Sequence, residues 1–176
     1  IGTLVPLHGI ETIVQAARVL GAHPGIAFRF IGDGQQAGVL ERAIAGLPNA
    51  SWDRQWKSPA GLADEIAQAD ICLGVFGQSD KTQRVCPLKV YAYAAVGRAV
   101  VTGETRWLRE TGAQQGAAPF VGVQVADSQA LAATIAALAS DPARRQLLAT
   151  QARAYYRTHL ANDPAMDALS AVFDAL

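Results

Sequence analysis

Three cationic side chains surround the start of a predicted helix in the middle of the chain. Lys81 and Arg84 lie in a polar loop after a predicted buried strand, and Lys89 lies in the first turn of the helix that Pro87 begins. A helix dipole by itself favours acidic residues in a first turn. Cations there are better explained by an anion at the free N–H groups of the helix end. The pattern predicts a diphosphate site; a solvated, flexible loop is the competing interpretation.

A glycine-containing loop near the start of the chain is a second candidate anion site. Gly2, Thr3 and Leu4 connect the end of a predicted strand to a predicted helix, and His8 stands at the start of that helix. Glycine lets a backbone approach a ligand closely, and a helix N-terminus favours an anion. His8 is placed to form a hydrogen bond with a phosphate. A glycine-permitted turn with a surface histidine is the competing interpretation.

Three further loops follow predicted strands. Residues 32–34 (Gly-Asp-Gly) are too short for a dinucleotide fingerprint and fit a tight turn in which Asp33 caps a helix. Residues 52–56 (Trp-Asp-Arg-Gln-Trp) could hold a planar base, although core packing also explains a tryptophan. Residues 103–110 either close over a ligand or form a helix with an i,i+4 ion pair between Arg106 and Glu110.

The elements that must position these loops alternate along the chain. Apolar runs predict strands at 26–31, 50–52, 70–76, 99–102 and 120–123. Amphipathic stretches predict helices at 9–20, 35–45, 58–67 and 87–96, a mobile loop at 112–119, and helix from 127 onward with breaks at 141–142 and 163–164. This alternation predicts a Rossmann-like three-layer α/β domain with a parallel sheet between helices. Ligands of such sheets bind beyond the carboxyl ends of the strands, which is where the candidate loops lie.

Composition excludes several classes of protein. The chain has 176 residues, no net charge, 51% hydrophobic and 17% charged residues, which fits one domain with a large core and excludes intrinsic disorder. A neutral chain without a basic run is a poor nucleic-acid binder and lacks an electrostatic membrane anchor. Two cysteines exclude a disulfide scaffold and give no metal-ligand spacing. No apolar run reaches the length of a transmembrane helix.

The chain opens at Ile1, without a methionine, in what reads as the end of a strand. We therefore expect a piece of a longer protein. Sparse cysteine usage favours the cytoplasm as its location.

Several ordered segments together resemble the C-terminal, nucleotide-sugar-binding domain of GT-B glycosyltransferases, close to glycosyltransferase family 4. The segments are Gly-Thr-Leu at 2–4 with His-Gly-Ile-Glu-Thr at 8–12, Phe-Ile-Gly-Asp-Gly at 30–34, Ala-Asp-Ile at 69–71 with Gly-Val-Phe-Gly at 74–77, Pro-Leu-Lys-Val-Tyr at 87–91, the stretch 94–103, and Glu110. Each is weak alone, but in this order they are fairly specific for the fold family. They do not specify a donor sugar.

The resemblance implies a set of donor-binding positions and no catalytic residue. They are Gly2, Thr3 and Leu4 at the diphosphate, Gln55 and Trp56 at the base, Gly77, Gln78, Ser79 and Arg84 at the sugar and phosphates, and the backbone amides of Leu88 and Lys89 at the diphosphate. We add His8, Gly32 and Lys81, which lie in the same strand-end loops.

The chain departs from the family pattern at four of its positions. Thr3 and His8 stand where members often have arginine and lysine, and Arg84 and Ala92 replace two glutamates. The second glutamate usually holds the ribose, which alanine cannot do. We expect Lys89, together with the cations of the preceding loop, to supply the missing positive charge.

The resemblance therefore implies one half of a GT-B enzyme. Residues 1–176 would form the donor half, with a helical segment at 141–176 that partly packs against an absent N-terminal acceptor domain. The implied reaction transfers a sugar from a UDP- or GDP-sugar with retention of configuration, without metal or cofactor, and the isolated half would be inactive. Membrane contact would come only through the absent domain. The alternatives are a degenerate GT-B-like binding module, a GT-B epimerase or phosphorylase half, and a flavodoxin-like receiver, whose acidic cluster is not evident.

Overall fold

Strands and helices alternate along the chain in a computed structural model, which describes residues 1–115 and 119–161. The strands are β1 (Phe28–Ile31), β2 (Ala50–Asp53), β3 (Ile71–Leu73), β4 (Ala99–Gly103) and β5 (Val121–Val123). The helices are α1 (Ile10–Val19), α2 (Ala37–Ile44), α3 (Pro59–Gln68), α4 (Asp80–Arg84), α5 (Leu88–Val96), α6 (Arg106–Gln115), α7 (Ser128–Ala139) and α8 (Pro142–Tyr155). A 3-10 turn at Pro6–His8 precedes α1, and a π-helical turn at Tyr156–Leu160 follows α8.

Side-chain caps define the starts of four helices, α3, α4, α7 and α8. The Ser58 hydroxyl accepts a hydrogen bond from the Gly61 amide at the start of α3. Asp127 accepts from the Ala130 amide at the start of α7, and Asp141 accepts from the Arg144 amide at the start of α8. Each cap satisfies an amide that the helix itself leaves unpaired.

All strand pairs in the described residues are parallel, and they form two sheets. β1 pairs with β2, so that Phe28 lies opposite Ala50. The second sheet has the order β3-β4-β5. Residues 1–4, where the sequence predicted the end of a strand, form no strand of their own. The Gly2 amide nevertheless donates to the Ile31 carbonyl across 2.9 Å, so the chain start lies beside the end of β1.

Helices cover both faces of the strands, which confirms the predicted three-layer fold. One apolar cluster joins α1 and α7 to the strands through residues such as Val14 and Leu131. A second cluster joins α3, α5 and the end of α8, with Ile66, Val90 and Ala152 in its centre. All residues of β4 are buried between these layers. Within the described residues, no helix is long and apolar enough to cross a membrane.

Two local predictions differ from the structure, and the helix alternative for residues 103–110 is confirmed. The predicted mobile loop at 112–119 is helical through Gln115, and residues 116–118 lie outside the described residues. Residues 106–110 belong to α6, where Arg106 Nε and Glu110 Oε1 form an ion pair of 2.6 Å. The polar loop before α5 contains α4. The predicted helical segment from 141 is described only to residue 161, and the break at 163–164 lies outside that range.

Candidate functional site

The loops selected from the sequence meet at the carboxyl ends of the strands. A Cβ added to Gly32 would overlap the carbonyl oxygen of Gly2, so the first loop lies directly against the loop after β1. A Cβ added to Gly77 would lie 2.6 Å from the carbonyl oxygen of Pro6, so the loop after β3 lies against the turn before α1. Only glycine permits such close backbone approach. The structure therefore brings three of the candidate loops together.

Several residues of these loops have positive backbone φ angles. Gly2, Gly9 and Gly32 have φ angles of 142°, 65° and 112°, in the region that L side chains rarely adopt. Leu4 has a φ of 40° although it carries a side chain, and that side chain is buried. A strained φ at a non-glycine residue persists only when the surrounding packing fixes it. The first loop is thus held in one shape rather than left to adapt.

His8 lies beneath the first loop. The competing interpretation, which placed this histidine on the surface, is wrong. Its side chain is buried, and a Cβ added to Gly2 would lie 2.7 Å from its Cε1 atom. Burial, and to a lesser extent the neighbouring Lys89 cation, lowers the pKa of His8 to about 3. The ring is therefore neutral at neutral pH and contributes no positive charge to an anion.

Lys89 extends from the first turn of α5 towards the same loop. A Cβ added to Gly2 would lie 3.4 Å from its Nζ atom. No carboxylate in the described residues pairs with this amine. Burial lowers the pKa of Lys89 from 10.5 to about 7. Because that pKa lies near neutrality, a nearby anion would strongly favour the charged amine.

The start of α5 presents unpaired backbone amides. Pro87 is the N-cap residue and no side chain caps the helix. The amides of Leu88 and Lys89 donate to no acceptor within the described residues, and the Leu88 side chain is 83% exposed. The first amides of a helix lack intrahelical acceptors and carry the positive end of the dipole. This end of α5 can therefore accept a negatively charged group.

Part of the loop after β3 forms the short helix α4. Ser79 Oγ accepts from the Thr82 amide across 3.2 Å and caps α4. Arg84 forms an ion pair with Asp80 one turn earlier, so its charge is already partly matched. Lys81 is exposed and makes no ion pair in the described residues. Of the cations proposed from the sequence, Lys89 alone is placed against the first loop.

The two residues predicted to form a base pocket, Gln55 and Trp56, follow the end of β2. Trp56 is 67% exposed, and the Gln55 amide donates to Asp53 Oδ1 across 2.9 Å. An exposed indole next to a strand end has a free aromatic face. These residues follow β2, which is the strand next to β1.

Three residues of the sequence-predicted loops that were not assigned to the donor site connect this loop to the loop after β1. Trp52 Nε1 donates to the Gly32 carbonyl across 2.8 Å. Arg54 pairs with Asp33 at 3.0 Å and lies 4.9 Å from the centre of the Trp52 ring system. The sequence signal for this contact was the opposite charges of Asp33 and Arg54, which lie in two successive strand-end loops.

The arrangement is suited to holding an anion. In residues 1–115 and 119–161, no three His, Cys, Asp or Glu side chains are grouped to hold a metal ion. Burial raises the pKa of both Cys72 and Cys86 to about 12, so neither is a thiolate at neutral pH.

Comparison with known proteins decides which family has this loop arrangement. The family model of group 1 glycosyl transferases matches residues 1–141. The chain belongs to this family. Comparison with curated protein sequences gave no significant match. Membership in a glycosyl transferase family confirms the resemblance drawn from the loop motifs and decides against the receiver hypothesis.

Solved structures confirm the fold of this glycosyl transferase chain. The chain matches the crystal structure of Anabaena Alr3699/HepE in complex with UDP with a TM-score of 0.79, at 15% sequence identity over 99% of this chain and 47% of that one. The UDP-glucose complex of the same protein gives a TM-score of 0.76 at 16% identity, with the same coverage. The GtfA/B complex gives 0.68 at 17% identity, over 90% of this chain and 32% of the other. The chain thus spans about half, or less, of these proteins.

Proposed function

We propose that this chain is the donor-binding half of a glycosyltransferase that uses a nucleotide diphosphate sugar. The diphosphate would lie between the first loop, Gly2–Leu4, and the amino-terminal end of α5. The observation that carries this proposal is the convergence of unpaired backbone amides at Leu88 and Lys89 with the Lys89 amine beside Gly2. Backbone amides and a nearby cation are the groups that proteins use to bind phosphates.

The remaining candidate residues have roles that follow from their positions. The exposed indole of Trp56, with Gln55, would stack on or border the base. Gly77, Gln78 and Ser79 would border the sugar and the phosphates, with Ser79 acting through its backbone because its hydroxyl caps α4. Thr3 and Gly32 would shape the wall of the diphosphate site, and Lys81 and Arg84 would add charge at its rim.

We propose UDP as the first nucleotide to test, because two of the similar structures are complexes with UDP and UDP-glucose. GDP is the second.

The chemistry we propose is sugar transfer with retention of configuration and without a bound metal. As the bond to the sugar breaks, negative charge develops on the leaving diphosphate. The amides at the start of α5 and the Lys89 cation would stabilise that charge, which is the task that a metal ion performs in other transferases. The acceptor would bind to a further domain, because the chain spans about half of the similar proteins.

Thermal unfolding with a panel of nucleotides tests this proposal. UDP, GDP, ADP, TDP and CMP are added separately, and any nucleotide that raises the midpoint is then titrated by calorimetry. A ligand at 100 times its dissociation constant stabilises the native state by about 2.7 kcal/mol. We expect a clear rise for one diphosphate, UDP first, and none for CMP. Absence of any response in both the isolated chain and a two-domain protein would contradict the proposal.

A degenerate binding module is the second candidate, because Arg84 and Ala92 replace the two glutamates expected from the family. Such a module would bind the nucleotide, but the two-domain protein would not transfer or release sugar. A GT-B epimerase would instead convert the donor sugar into its epimer. Product analysis of a two-domain protein with UDP-glucose separates the three outcomes.

A further inference from the structure

Four charged side chains form a cluster next to the loop that follows β2. The members of this four-charge cluster are Arg29 of β1, Asp53 of β2, Lys57 before α3, and Glu65 of α3. Two acids and two bases leave the cluster without net charge. Because it has no excess charge with which to attract an ionic ligand, its role lies in what it holds in place.

Every member of the four-charge cluster contacts a member of opposite charge. Lys57 Nζ donates to Asp53 Oδ2 across 2.6 Å and lies 3.6 Å from Glu65 Oε1. Arg29 donates to both carboxylate oxygens of Glu65 across 2.8 Å, in the bidentate geometry of a strong pair. Hydrogen bonds between the members lower the pKa of both carboxyl groups and raise the pKa of both bases. All four groups are therefore charged at neutral pH.

Asp53 connects the four-charge cluster to the loop of residues 53–57. Its Oδ1 atom accepts a hydrogen bond from the Gln55 amide across 2.9 Å, and its Oδ2 atom accepts the hydrogen bond from the Lys57 amine. One carboxylate therefore binds both the middle and the end of the loop that it begins. Trp56 lies between these two attachment points. Because the Trp56 side chain is 67% exposed, core packing does little to position it, and the flanking backbone must do so.

We propose that Asp53 is a positioning residue that holds the 53–57 loop in one shape and so presents Trp56 to the base of the nucleotide. This inference rests on the proposed function, in which Trp56 borders the base. Lys57 is the second attachment of the loop, and Glu65 links it to Arg29 of β1. An ordered loop loses less conformational entropy when a base stacks on its indole, so the order of the loop contributes to affinity.

The positioning role concerns the nucleoside and not the diphosphate. Within the described residues, no side-chain hydrogen bond or ion pair of the four-charge cluster reaches the first loop or the start of α5. Loss of the Asp53 carboxylate should therefore weaken a ligand that carries a base and leave inorganic pyrophosphate unaffected. A cluster that only stabilised the fold would affect both ligands alike.

Amide hydrogen exchange without ligand tests whether Asp53 holds the loop. In Asp53→Ala the Gln55 amide loses its acceptor, so we expect it to exchange about tenfold faster. The heteronuclear NOE of the Trp56 indole should fall in the same variant. Asp53→Asn keeps the side-chain shape and one acceptor oxygen, so its Gln55 amide should stay closer to the unchanged chain. This second variant also serves if Asp53→Ala does not fold.

Calorimetric titration with UDP and, separately, with inorganic pyrophosphate tests the role in binding. We expect Asp53→Ala to weaken UDP binding about tenfold, as loss of a stacked aromatic contact does, and to leave pyrophosphate binding unchanged. Added to Trp56→Ala, the same change should weaken UDP binding no further, because Asp53 acts through the indole. Asp70→Asn is the matched control: it removes a carboxylate charge that lies 3.7 Å from Arg145, just before β3, and should change neither affinity.

Unchanged exchange at Gln55 in Asp53→Ala would overturn the proposal. So would a loosened loop with unchanged UDP affinity, or equal weakening of UDP and pyrophosphate binding. Additive losses in the double variant would also overturn it, since Asp53 would then act without Trp56. If neither ligand bound the unchanged chain or a two-domain protein, the proposed function would fail and the role in base binding with it. The exchange data would still show, separately, whether Asp53 holds the loop.

Discussion

The Lys89→Met variant is expected to bind UDP about tenfold more weakly than the unchanged chain at pH 7. Lys89 is the cation that lies against the first loop. Its Nζ atom would be 3.4 Å from a Cβ added to Gly2. A hydrogen bond to a charged group contributes about 1.5–3 kcal/mol, which corresponds to a tenfold or greater change in affinity. Calorimetric titration with UDP measures the change directly.

The same variant is expected to be more stable without ligand. The pKa of Lys89 is about 7 in the folded chain and near 10.5 in the unfolded chain. Between these values the unfolded chain binds the extra proton, so stability rises with pH across this window. Methionine keeps the apolar stem and removes the buried charge. The gain in free energy of unfolding should therefore be largest at pH 7 and should shrink towards pH 10.

The affinity for UDP should also depend on pH through the titration of Lys89. A bound diphosphate raises the pKa of Lys89, so the complex takes up a proton above pH 7. Affinity for UDP should fall as the pH rises from 7 to 9 in the unchanged chain and stay nearly flat in Lys89→Met. His8 and the Ile1 amine, the other groups facing Lys89, are already neutral in this range.

Arg42→Met is the matched control for charge. Arg42 is exposed in the last turn of α2 and makes no ion pair in the described residues. Its loss should leave UDP affinity and the pH profile unchanged. Equal affinity of Lys89→Met and the unchanged chain would remove Lys89 from the proposed site.

Gly32→Ala is expected to cost about 2–5 kcal/mol of stability and most of the affinity for UDP. The φ of 112° disfavours a side chain by about 1–2 kcal/mol. The new Cβ would also overlap the Gly2 carbonyl, and overpacking of this kind costs about 1–3 kcal/mol. Relief of the overlap requires the first loop to move away from β1, which disturbs the diphosphate site.

Gly25→Ala separates the cost of the positive φ from the cost of the steric overlap. Gly25 also has a positive φ, of 84°, but a Cβ there would meet nothing within 4 Å. This variant should lose only the conformational part, about 1–2 kcal/mol, and should bind UDP normally. Urea unfolding of both variants gives the comparison. If Gly32→Ala and Gly25→Ala lost the same stability and the same affinity, the contact between the two loops would be unimportant.

The helices and buried strands were predictable because their signals are local. Ser58 before Pro59 starts a helix as its capping chemistry predicts, and the predicted break at 141–142 separates α7 from α8. The apolar run before Gly74 forms β3, paired in parallel with β4. The loops that follow these strands meet at one edge because parallel strands end on the same side.

Side-chain positions within the site were less predictable, because they depend on packing between distant segments. The sequence offered a surface position or a phosphate contact for His8; its side chain is buried next to Gly2 of the first loop, so it is not at the surface. Arg84 was expected to supply charge, but Asp80 lies one turn before it on a helix that the polar composition did not indicate. The sequence predicted one parallel sheet, whereas the described strands form two, β1-β2 and β3-β4-β5.

Backbone amide NMR of the labelled chain during titration with UDP locates the proposed diphosphate site. We expect saturable shift changes that are largest at Gly2, Thr3 and Leu4 and at Leu88 and Lys89, with smaller changes at Gly77. Amides on the opposite side of the domain, such as those late in α2, should not move. Saturable changes confined to the apolar cavity between β1 and β3, or no changes at the first loop and the start of α5, would contradict the proposed site.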